Sequence, residues 1–270
     1  QEKMFVKNKI LHYILTREII DLVVVILGEE SVTKTHNKFI FDVDGTLTPS
    51  RQQIDSDFAV YFSNFCTIND VYLVTGSDKE KTIEQVGEEI YSLSKRVYNC
   101  SGSDVWEGET NVYTSNWRLP HEAEKWLREQ CRISEFTLRT GLHIEQRPGM
   151  VNFSVVGRNA TLGERKLYVK HDVNTNERVR IAKEFKKQFP DIEAVVGGET
   201  GIDIFPIGKD KAQIVKDFDR NDKLYFFGDR MDKDGNDYTL SLKVHWARPV
   251  TGWQQTKETL CYLQEAKIAA

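Results

Sequence analysis

The chain has 270 residues, of which 40% are hydrophobic and 29% charged, enough for one large domain or two small ones. Its formal net charge of -4 excludes the basic field that nucleic-acid binding requires, so we expect no nucleic-acid partner. The four cysteines, Cys66, Cys100, Cys131 and Cys261, are far apart in the sequence, which predicts reduced thiols in a cytoplasmic protein rather than a zinc site or a disulfide framework.

Residues 1–37 form an N-terminal extension to which the sequence assigns no role. Arg17, Glu18 and Asp21 interrupt its apolar stretch, and the longest uncharged run, residues 22–28, is far shorter than the roughly 20 residues of a membrane span. We therefore expect no membrane partner. The pattern favours an amphipathic helix that packs on the domain or on a partner chain. The alternative is that these residues precede the true start of the protein.

Three short apolar runs farther along the chain end in small or acidic residues. The run "FIF" leads into Asp42, "VYLV" leads into Thr75, and "LYFFG" leads into Asp229. Helical spacing follows the first two runs, in "DSDFAVYFSNFC" and "KEKTIEQVGEEIYSL". Strands that alternate with helices predict βαβ units and a mostly parallel sheet. Because ligands bind beyond the carboxyl ends of such strands, we expect the three polar clusters to converge on one site.

The middle of the chain has a different pattern. Alternating segments, "HIEQRPGMVNFSVVGR" and "IEAVVGG", indicate antiparallel strands, and "NERVRIAKEFKKQF" indicates a helix. We predict an α+β insertion with its helices on one face of the sheet. The predicted organisation is therefore an extension (1–37), a core domain (38–105 and 197–270) and an inserted domain (106–196).

Asp42 and Asp44 lie two residues apart, directly after a predicted buried strand, in "DVDGTLTPSR". An EF-hand calcium loop does not fit, because a frame that starts at Asp42 puts Leu47 and Gln53 where Gly and Glu are required. A solvated turn is the plain alternative, since Asp and Gly are common where a strand turns over. Carboxylates at neighbouring strand ends repel one another unless a cation lies among them. This favours Mg²⁺, held by carboxylates, water and a substrate phosphate.

The two aspartates can divide a phosphoryl transfer between them. Asp42 can attack phosphorus as a nucleophile and form an aspartyl phosphate. Asp44, on the same side of the extended chain, can protonate the leaving oxygen and later deprotonate the acceptor. Thr46 can offer its hydroxyl to the phosphate. Lys211, early in a predicted helix, can neutralise the charge on the equatorial oxygens, and Lys209 is the less favoured candidate for this role.

These segments resemble a known superfamily. The stretches "DVDGTLT", "TGSD", a Lys before "YFFGD", and "DGND" are similar to the four motifs of the haloacid dehalogenase-like phosphotransferases. From about residue 39 to residue 240, "FDVDGTLTPSRQ", "HIEQRPGMVNFSVVGR", "GIDIFP" and "YFFGDRMDKDGND" resemble the eukaryotic-type phosphomannomutases. The resemblance implies an α/β fold, with a Rossmann-like parallel-sheet core and an inserted, mobile α+β cap of the C2 type. It also implies a homodimer joined through the caps.

The resemblance further implies roles for the matching positions. The implied catalytic residues are Asp42, Asp44, Lys211 and Thr75. The implied Mg²⁺ ligands and supporting residues are Asp42, Asp44 (through its backbone carbonyl), Asp229, Asn236 and Asp237. The implied substrate-binding residues are Arg51, Arg147, Arg158, Arg165 and Asp203. The cap arginines would grip the distal phosphate and sugar, and Asp203 would bind sugar hydroxyls. Bidentate recognition of a second phosphate by guanidinium groups gives the arginines an independent rationale.

The leading hypothesis is a Mg²⁺-dependent mutase that interconverts mannose 6-phosphate and mannose 1-phosphate, with a hexose 1,6-bisphosphate as intermediate and activator. Three departures from the family pattern limit it: Gly201 replaces a Ser, Thr75 replaces a Gly, and "NCSGSDVWEG" lacks the usual "ENG". The changes at Thr75 and Gly201 favour a sugar-phosphate phosphatase with water as the acceptor, while the cap arginines favour the mutase. A sugar-phosphate-binding protein without activity is disfavoured, because the catalytic set is complete.

Overall fold

A computed structural model of the chain describes residues 36–269. The amphipathic helix predicted near the N-terminus lies outside the described residues. Among residues 36–269, no helix combines the length and the hydropathy that crossing a membrane would require.

The described chain alternates strands and helices along most of its length. The strands are β1 (His36–Phe41), β2 (Asp70–Val74), β3 (Arg96–Asn99), β4 (Asp104–Glu107), β5 (Thr110–Thr114), β6 (Ile144–Arg147), β7 (Met150–Phe153), β8 (Ile192–Gly197), β9 (Gly201–Pro206), β10 (Asp222–Gly228) and β11 (Trp246–Pro249). The α-helices are α1 (Ser56–Ile68), α2 (Lys79–Val86), α3 (Glu88–Leu93), α4 (His121–Ile133), α5 (Leu162–Thr175), α6 (Glu177–Gln188), α7 (Tyr238–Ser241) and α8 (Trp253–Glu265). Two 3₁₀ helices span Cys100–Gly102 and Lys211–Asp217.

The larger sheet, here called the core sheet, has seven strands in the order β11-β10-β1-β2-β3-β4-β5. Its first five strands are parallel, and β4 and β5 are antiparallel. Phe41 packs on Phe62 of α1, while its neighbour Ile40 belongs to the cluster on the opposite face, with Ile214. Both faces are covered, which explains why these strands are apolar runs rather than alternating ones. The predicted, mostly parallel α/β sheet is confirmed.

The segment after β2 differs from its prediction in one respect. The sequence predicts one continuous helix, whereas the structure has α2 and α3, separated at Gly87. Gly87 has a φ of 85°, and its N–H donates to the carbonyl of Ile83, so it ends α2 in a backbone conformation that side-chain-bearing residues rarely adopt.

The smaller sheet, here called the cap sheet, has the antiparallel order β6-β7-β9-β8. Helices α4, α5 and α6 supply Leu127, Tyr168 and Phe185 to a single buried cluster with Val151 and Ile204 of the sheet. All three helices therefore cover one face of the cap sheet, as predicted. The alternate residues of β7 and β9 point to the opposite face, which is the face turned toward the core sheet.

The two sheets divide the chain at positions different from the predicted boundaries. The β4–β5 hairpin hydrogen-bonds to β3 and extends the core sheet to Thr114. Strand β9 pairs with both β7 and β8, so the cap sheet continues to Pro206. The boundaries predicted near residues 106 and 196 thus fall inside β4 and β8. Alternating patterns identified the antiparallel strands, but only backbone pairing shows to which sheet each one belongs.

Candidate active site

The site begins at the point where the order of the core strands reverses. Strand β1 lies between β2 and β10, and the chain continues from these neighbours toward opposite edges of the sheet. Asp42 follows β1 and Asp229 follows β10, and the N–H of Asp42 donates to the carbonyl of Phe227 at 2.9 Å. A crevice forms beyond the carboxyl ends of the strands at such a point. The predicted convergence of the polar strand ends is therefore observed.

Lys211 joins two carboxylates at the floor of the crevice. Its Nζ lies 2.5 Å from Asp42 Oδ1 and 2.7 Å from Asp237 Oδ1, and the lysine side chain is fully buried. Burial lowers the pKa of Lys211, but the charges of Asp237 and Asp42 raise it by more. The net shift of the Lys211 pKa is upward, so the ammonium group stays charged. Lys211 opens a 3₁₀ helix rather than an α-helix, with Asp210 as its N-cap. Lys209 lies at the surface turn that precedes this helix.

Three carboxylates crowd together next to this lysine. Oxygens of Asp42, Asp229 and Asp237 lie within 4.8 Å of one another. Burial raises the pKa of Asp42 well above its usual range; Lys211 opposes this rise, and the other two carboxylates add to it. Burial and the charge of Asp237 together raise the pKa of Asp229 to about 7. Asp42 Oδ2 is buried and has no hydrogen-bond partner among residues 36–269.

Asp237 and Asn236 take different positions beside this carboxylate cluster. Both oxygens of Asp237 have protein partners, because Oδ1 binds Lys211 and Oδ2 accepts from the N–H of Arg230 at 3.0 Å. Asn236 lines the crevice, and its amide donates to Asp203 Oδ2 at 3.3 Å. In this arrangement Asp237 braces the lysine, and Asn236 connects the loop after β10 to the cap sheet.

Asp44 is held by two donors that bind the same oxygen. Asp44 Oδ1 accepts from the N–H of Arg51 at 2.6 Å and from Nε2 of Gln85 at 2.9 Å. The proton of a protonated Asp44 therefore belongs on Oδ2, the oxygen that these donors leave open. Sequence reasoning missed Gln85. A signal was present, since Asp78 caps α2 and Gln85 lies seven residues later on the same face of that helix.

Gly45 allows the loop after β1 to approach Asp229. It has a φ of 80°, and a Cβ at this position would lie 2.5 Å from Asp229 Oδ2. Glycine is therefore required here both for the backbone conformation and for the space. Thr75 is buried and lines the crevice, with its hydroxyl accepting from the N–H of Ser77 at 3.1 Å. Thr46 is also buried, and its hydroxyl has no partner within the part of the chain that the structure describes.

The cap sheet closes the crevice with positive charge. Arg51 from the core and Arg147, Arg158 and Arg165 from the cap line the same cavity as Asp42. Two of them also join core to cap: Arg147 donates to the carbonyl of Gly76 at 2.5 Å, and Arg51 donates to that of Arg158 at 3.2 Å. Burial, followed by the charges of Arg147 and Arg51, lowers the pKa of Arg158 to about 10. The guanidinium groups thus repel one another, as expected of a site for an anion.

Two glutamates that the sequence analysis did not single out pair with these arginines. Glu145 lies 2.8 Å from Nε of Arg147 and 3.0 Å from Nε of Arg158. Burial raises the pKa of Glu145, but these two arginines lower it more, so the net shift is downward. Glu199 lies 2.9 Å from Nη2 of Arg165. Glu145 lies two residues before Arg147, a spacing that places both side chains on the same face of one strand and could have predicted their contact.

Asp203, in β9, lines the cavity from the cap side. Its Oδ1 accepts from Nδ2 of Asn152 at 2.8 Å, and Asn236 binds the other oxygen. A Cβ at Gly201 would lie 2.6 Å from that same Nδ2 atom. The amide of Asn152 therefore fills the space that the usual serine side chain would need, so the two positions depend on each other.

The model of the eukaryotic phosphomannomutase family matches residues 60–260. The chain belongs to this family. The phosphomannomutase of Drosophila melanogaster is 31% identical over 218 residues, which are 74% of this chain and 84% of that protein. The phosphomannomutase of Saccharomyces cerevisiae is 31% identical over 220 residues, covering 77% and 85%. The resemblance found from the motifs is thereby confirmed, and the family is one of enzymes. The matched range begins after the loop that carries Asp42. The assignment of that loop to the site therefore depends on its position in the structure.

Solved structures show the same fold at low identity. The IMP-bound, N-terminally truncated IMP-nucleotidase of Plasmodium falciparum has a TM-score of 0.59 at 18% identity, covering 87% of this chain and 70% of that one. A sugar phosphatase of subclass IIB of the haloacid dehalogenase superfamily has a TM-score of 0.54 at 14% identity, covering 87% and 100%. The predicted haloacid dehalogenase-like fold is confirmed.

Proposed function

We propose that this chain is a Mg²⁺-dependent phosphomannomutase that interconverts mannose 6-phosphate and mannose 1-phosphate through a hexose 1,6-bisphosphate. One observation carries the proposal: a single cavity is lined by Asp42, which binds Lys211, and Asp229, and also by four arginines, and we take these two groups as its carboxylate end and its arginine end. A bisphosphate presents one phosphate to each end. Membership of the phosphomannomutase family supports this substrate class.

The carboxylate end fits a Mg²⁺ ion. A buried oxygen of Asp42 without a partner among the described residues, and the raised pKa values of Asp42 and Asp229, both indicate a missing positive charge. We assign Asp42, the backbone carbonyl of Asp44, and Asp229 as ligands, with Asn236 and Asp237 as supporting residues. When bound, Mg²⁺ would neutralise charge on the phosphoryl group as it is transferred.

The aspartates carry the chemistry in two half-reactions. In the first, the carboxylate of Asp42 forms a bond to the proximal phosphorus of the bisphosphate, and the bond between phosphorus and the sugar oxygen breaks. Asp44 gives its proton to that oxygen, which leaves a hexose monophosphate and a phosphorylated Asp42. In the second, Asp44 removes a proton from the free hydroxyl of an incoming hexose monophosphate, whose oxygen bonds to phosphorus and releases the carboxylate of Asp42. Lys211 offsets the negative charge throughout.

The four arginines hold the phosphate that is not reacting. The bisphosphate turns end for end before it gives up its other phosphate, so this distal site must accept a phosphate on either end of the sugar. Contacts of Arg147 with Gly76 and of Arg51 with Arg158 join cap to core around the cavity. Such closure would exclude water, so that a sugar hydroxyl takes the phosphoryl group from Asp42.

A phosphatase with the same first half-reaction is the second candidate. Thr75 favours it, because this hydroxyl-bearing residue is buried at the proximal end of the cavity and can bind the phosphate while water attacks. The family resemblance also leads us to propose a homodimer joined through the caps, a cytoplasmic location, and activation by a hexose 1,6-bisphosphate.

Product analysis tests the proposal. The protein is incubated with Mg²⁺, mannose 1-phosphate and a trace of glucose 1,6-bisphosphate, and both mannose 6-phosphate and free phosphate are measured. We expect isomerisation with little free phosphate, and no turnover in an Asp42→Asn variant. Release of phosphate without isomerisation would establish the phosphatase instead. If no sugar phosphate in a panel is turned over, the chain is a binding protein.

A further inference from the structure

Arg165 has a protein carboxylate where the proposed function places a phosphate. Its side chain is only 5% exposed; Nη1 contacts Thr200 Oγ1 at 3.1 Å, and Nη2 contacts Glu199 Oε2 at 2.9 Å. Nη2 also lies 3.5 Å from Ser50 Oγ. Nε is buried and has no partner among residues 36–269. Nε and Nη2 form one edge of the guanidinium, which can bind two oxygens of one phosphate, so Glu199 occupies half of that edge.

Glu199 is placed so that it can leave Arg165 while the backbone stays still. Its side chain is 47% exposed, and it follows Gly197 and Gly198, which have no side chains to confine it. A Cβ at Gly198 would meet nothing within 4 Å. Arg178 holds the turn itself, donating to the carbonyl of Gly198 at 2.9 Å. A rotation of the Glu199 side chain alone would therefore open the Nε–Nη2 edge of Arg165 to a ligand, while Thr200 still holds Nη1.

Arg178 is itself firmly anchored, which keeps the turn in place. It also contacts the carbonyl of Gly201 at 3.3 Å, and its Nε lies 2.8 Å from Asp172 Oδ2 in a buried ion pair. A buried ion pair of this kind is costly to break, because separation leaves an unpaired charge. The backbone of the turn is thus held at both ends, whereas the Glu199 side chain is half-exposed.

Glu145 provides a contrast within the same cluster. Its carboxylate is 25% exposed and binds Arg147 and Arg158 together. It is not among the residues that line the cavity, whereas Glu199 is. Glu145 therefore binds its two arginines from outside the cavity, whereas Glu199 contacts Arg165 on the cavity side, where a ligand would approach.

We propose that Glu199 is a displaceable counter-ion of Arg165, and that its carboxylate competes with the distal phosphate of the substrate and so sets the affinity for bisphosphates. This inference rests on the proposed function, because it takes the arginine end to be the distal phosphate site. It predicts that removing the negative charge of Glu199 strengthens the binding of the anion. Removing that of Glu145 weakens it, because Arg147 and Arg158 lose the group that holds them.

The test compares two substitutions that change charge equally. Glucose 1,6-bisphosphate is titrated calorimetrically, with Mg²⁺, into full-length Asp42→Asn protein that carries either Glu199→Gln or Glu145→Gln. We expect Glu199→Gln to bind about fivefold more tightly, the effect of one partly exposed ion pair. We expect Glu145→Gln to bind more weakly. If Glu199→Gln binds the bisphosphate as tightly as the Asp42→Asn protein alone, or more weakly, the inference is overturned and Glu199 is a permanent support of Arg165.

A double-mutant cycle separates the local effect from a general change in charge. In an Arg165→Ala background, Glu199→Gln should no longer increase affinity, because the contact it relieves is absent. An undiminished gain in that background would refute the competition. If the Asp42→Asn protein does not fold, protection from thermal unfolding by inorganic sulfate gives the same comparison with Asp42 intact.

The inference and the proposed function can fail separately. If Glu199→Gln tightens the binding of sulfate but the protein turns over no sugar phosphate, the counter-ion inference stands and the proposed enzymatic function is refuted. Mutase activity whose bisphosphate affinity does not respond to Glu199→Gln would do the reverse.

Discussion

In the absence of Mg²⁺, the free energy of unfolding should fall as the pH rises. The raised pKa of Asp229 sets the size of this fall. Its pKa is raised from 3.8 to about 7, so the folded chain binds this proton more tightly than the unfolded chain does. Below pH 3.8 both states are protonated and Asp229 has no effect. Between about pH 4 and pH 7 the unfolded chain has released this proton while the folded chain still holds it, so the free energy of unfolding falls as the pH rises. At about 1.4 kcal/mol for each pH unit, the loss is about 4 kcal/mol.

Thermal unfolding of the full chain at pH 5.5 and pH 8.0, with EDTA or with Mg²⁺, measures this effect. Of this loss, about 2 kcal/mol falls between pH 5.5 and pH 7, which corresponds to a fall in Tm of roughly 5 °C. Mg²⁺ should raise the Tm more at pH 8.0, where the carboxylates are free, than at pH 5.5, where it must first displace a proton. An Asp229→Asn variant should lose the part of the pH dependence that Asp229 contributes, and most of the response to Mg²⁺, while the contribution of Asp42 remains. An equal response to Mg²⁺ at both pH values would refute the reasoning.

Three substitutions test other parts of the site. Gly45→Ala should destabilise the protein by about 1 to 3 kcal/mol and raise the Mg²⁺ concentration needed for activity, because the new Cβ would contact Asp229; an unchanged Mg²⁺ requirement would contradict this. Gln85→Leu should lower kcat about tenfold with KM within twofold, since one donor to Asp44 is lost; an effect on KM alone would argue against it. Arg158→Ala should weaken substrate binding by about 1.5 to 3 kcal/mol, measured as KM, and an unchanged KM would exclude Arg158 from the distal site.

The core sheet was predictable because its strands carry their own signal. Strand β1 is apolar on both faces, so Phe41 and Ile40 identify a buried parallel strand before any contact is known. The β4–β5 hairpin has no such signal. Every residue of β5 is exposed, and its membership of the core sheet depends on hydrogen bonds to β4. The break at Gly87 was missed because the apolar spacing continues across it.

The residues of the site were easier to predict than their partners. Asp42, Lys211 and Asp229 follow motifs whose spacing is local, so their types and positions indicate phosphoryl transfer. Gln85 acts on a residue 41 positions away, and Glu199 acts on one 34 positions away. Whether such a polar residue meets a charged group or solvent depends on how the strands and helices are arranged in space, which no local pattern in one sequence contains.

The two ends of the cavity share one electrostatic problem with opposite signs. The raised pKa of Asp229 and the lowered pKa of Arg158 each arise partly from like charges held close together under a closed cap. A monophosphate relieves the repulsion at only one end, whereas a bisphosphate, with a cation among the carboxylates, relieves it at both. Closure is therefore most favourable around a bisphosphate. The closed site would then stabilise the intermediate of a mutase more than the monophosphate and water of a phosphatase, so transfer to sugar is the reaction that this charge arrangement favours.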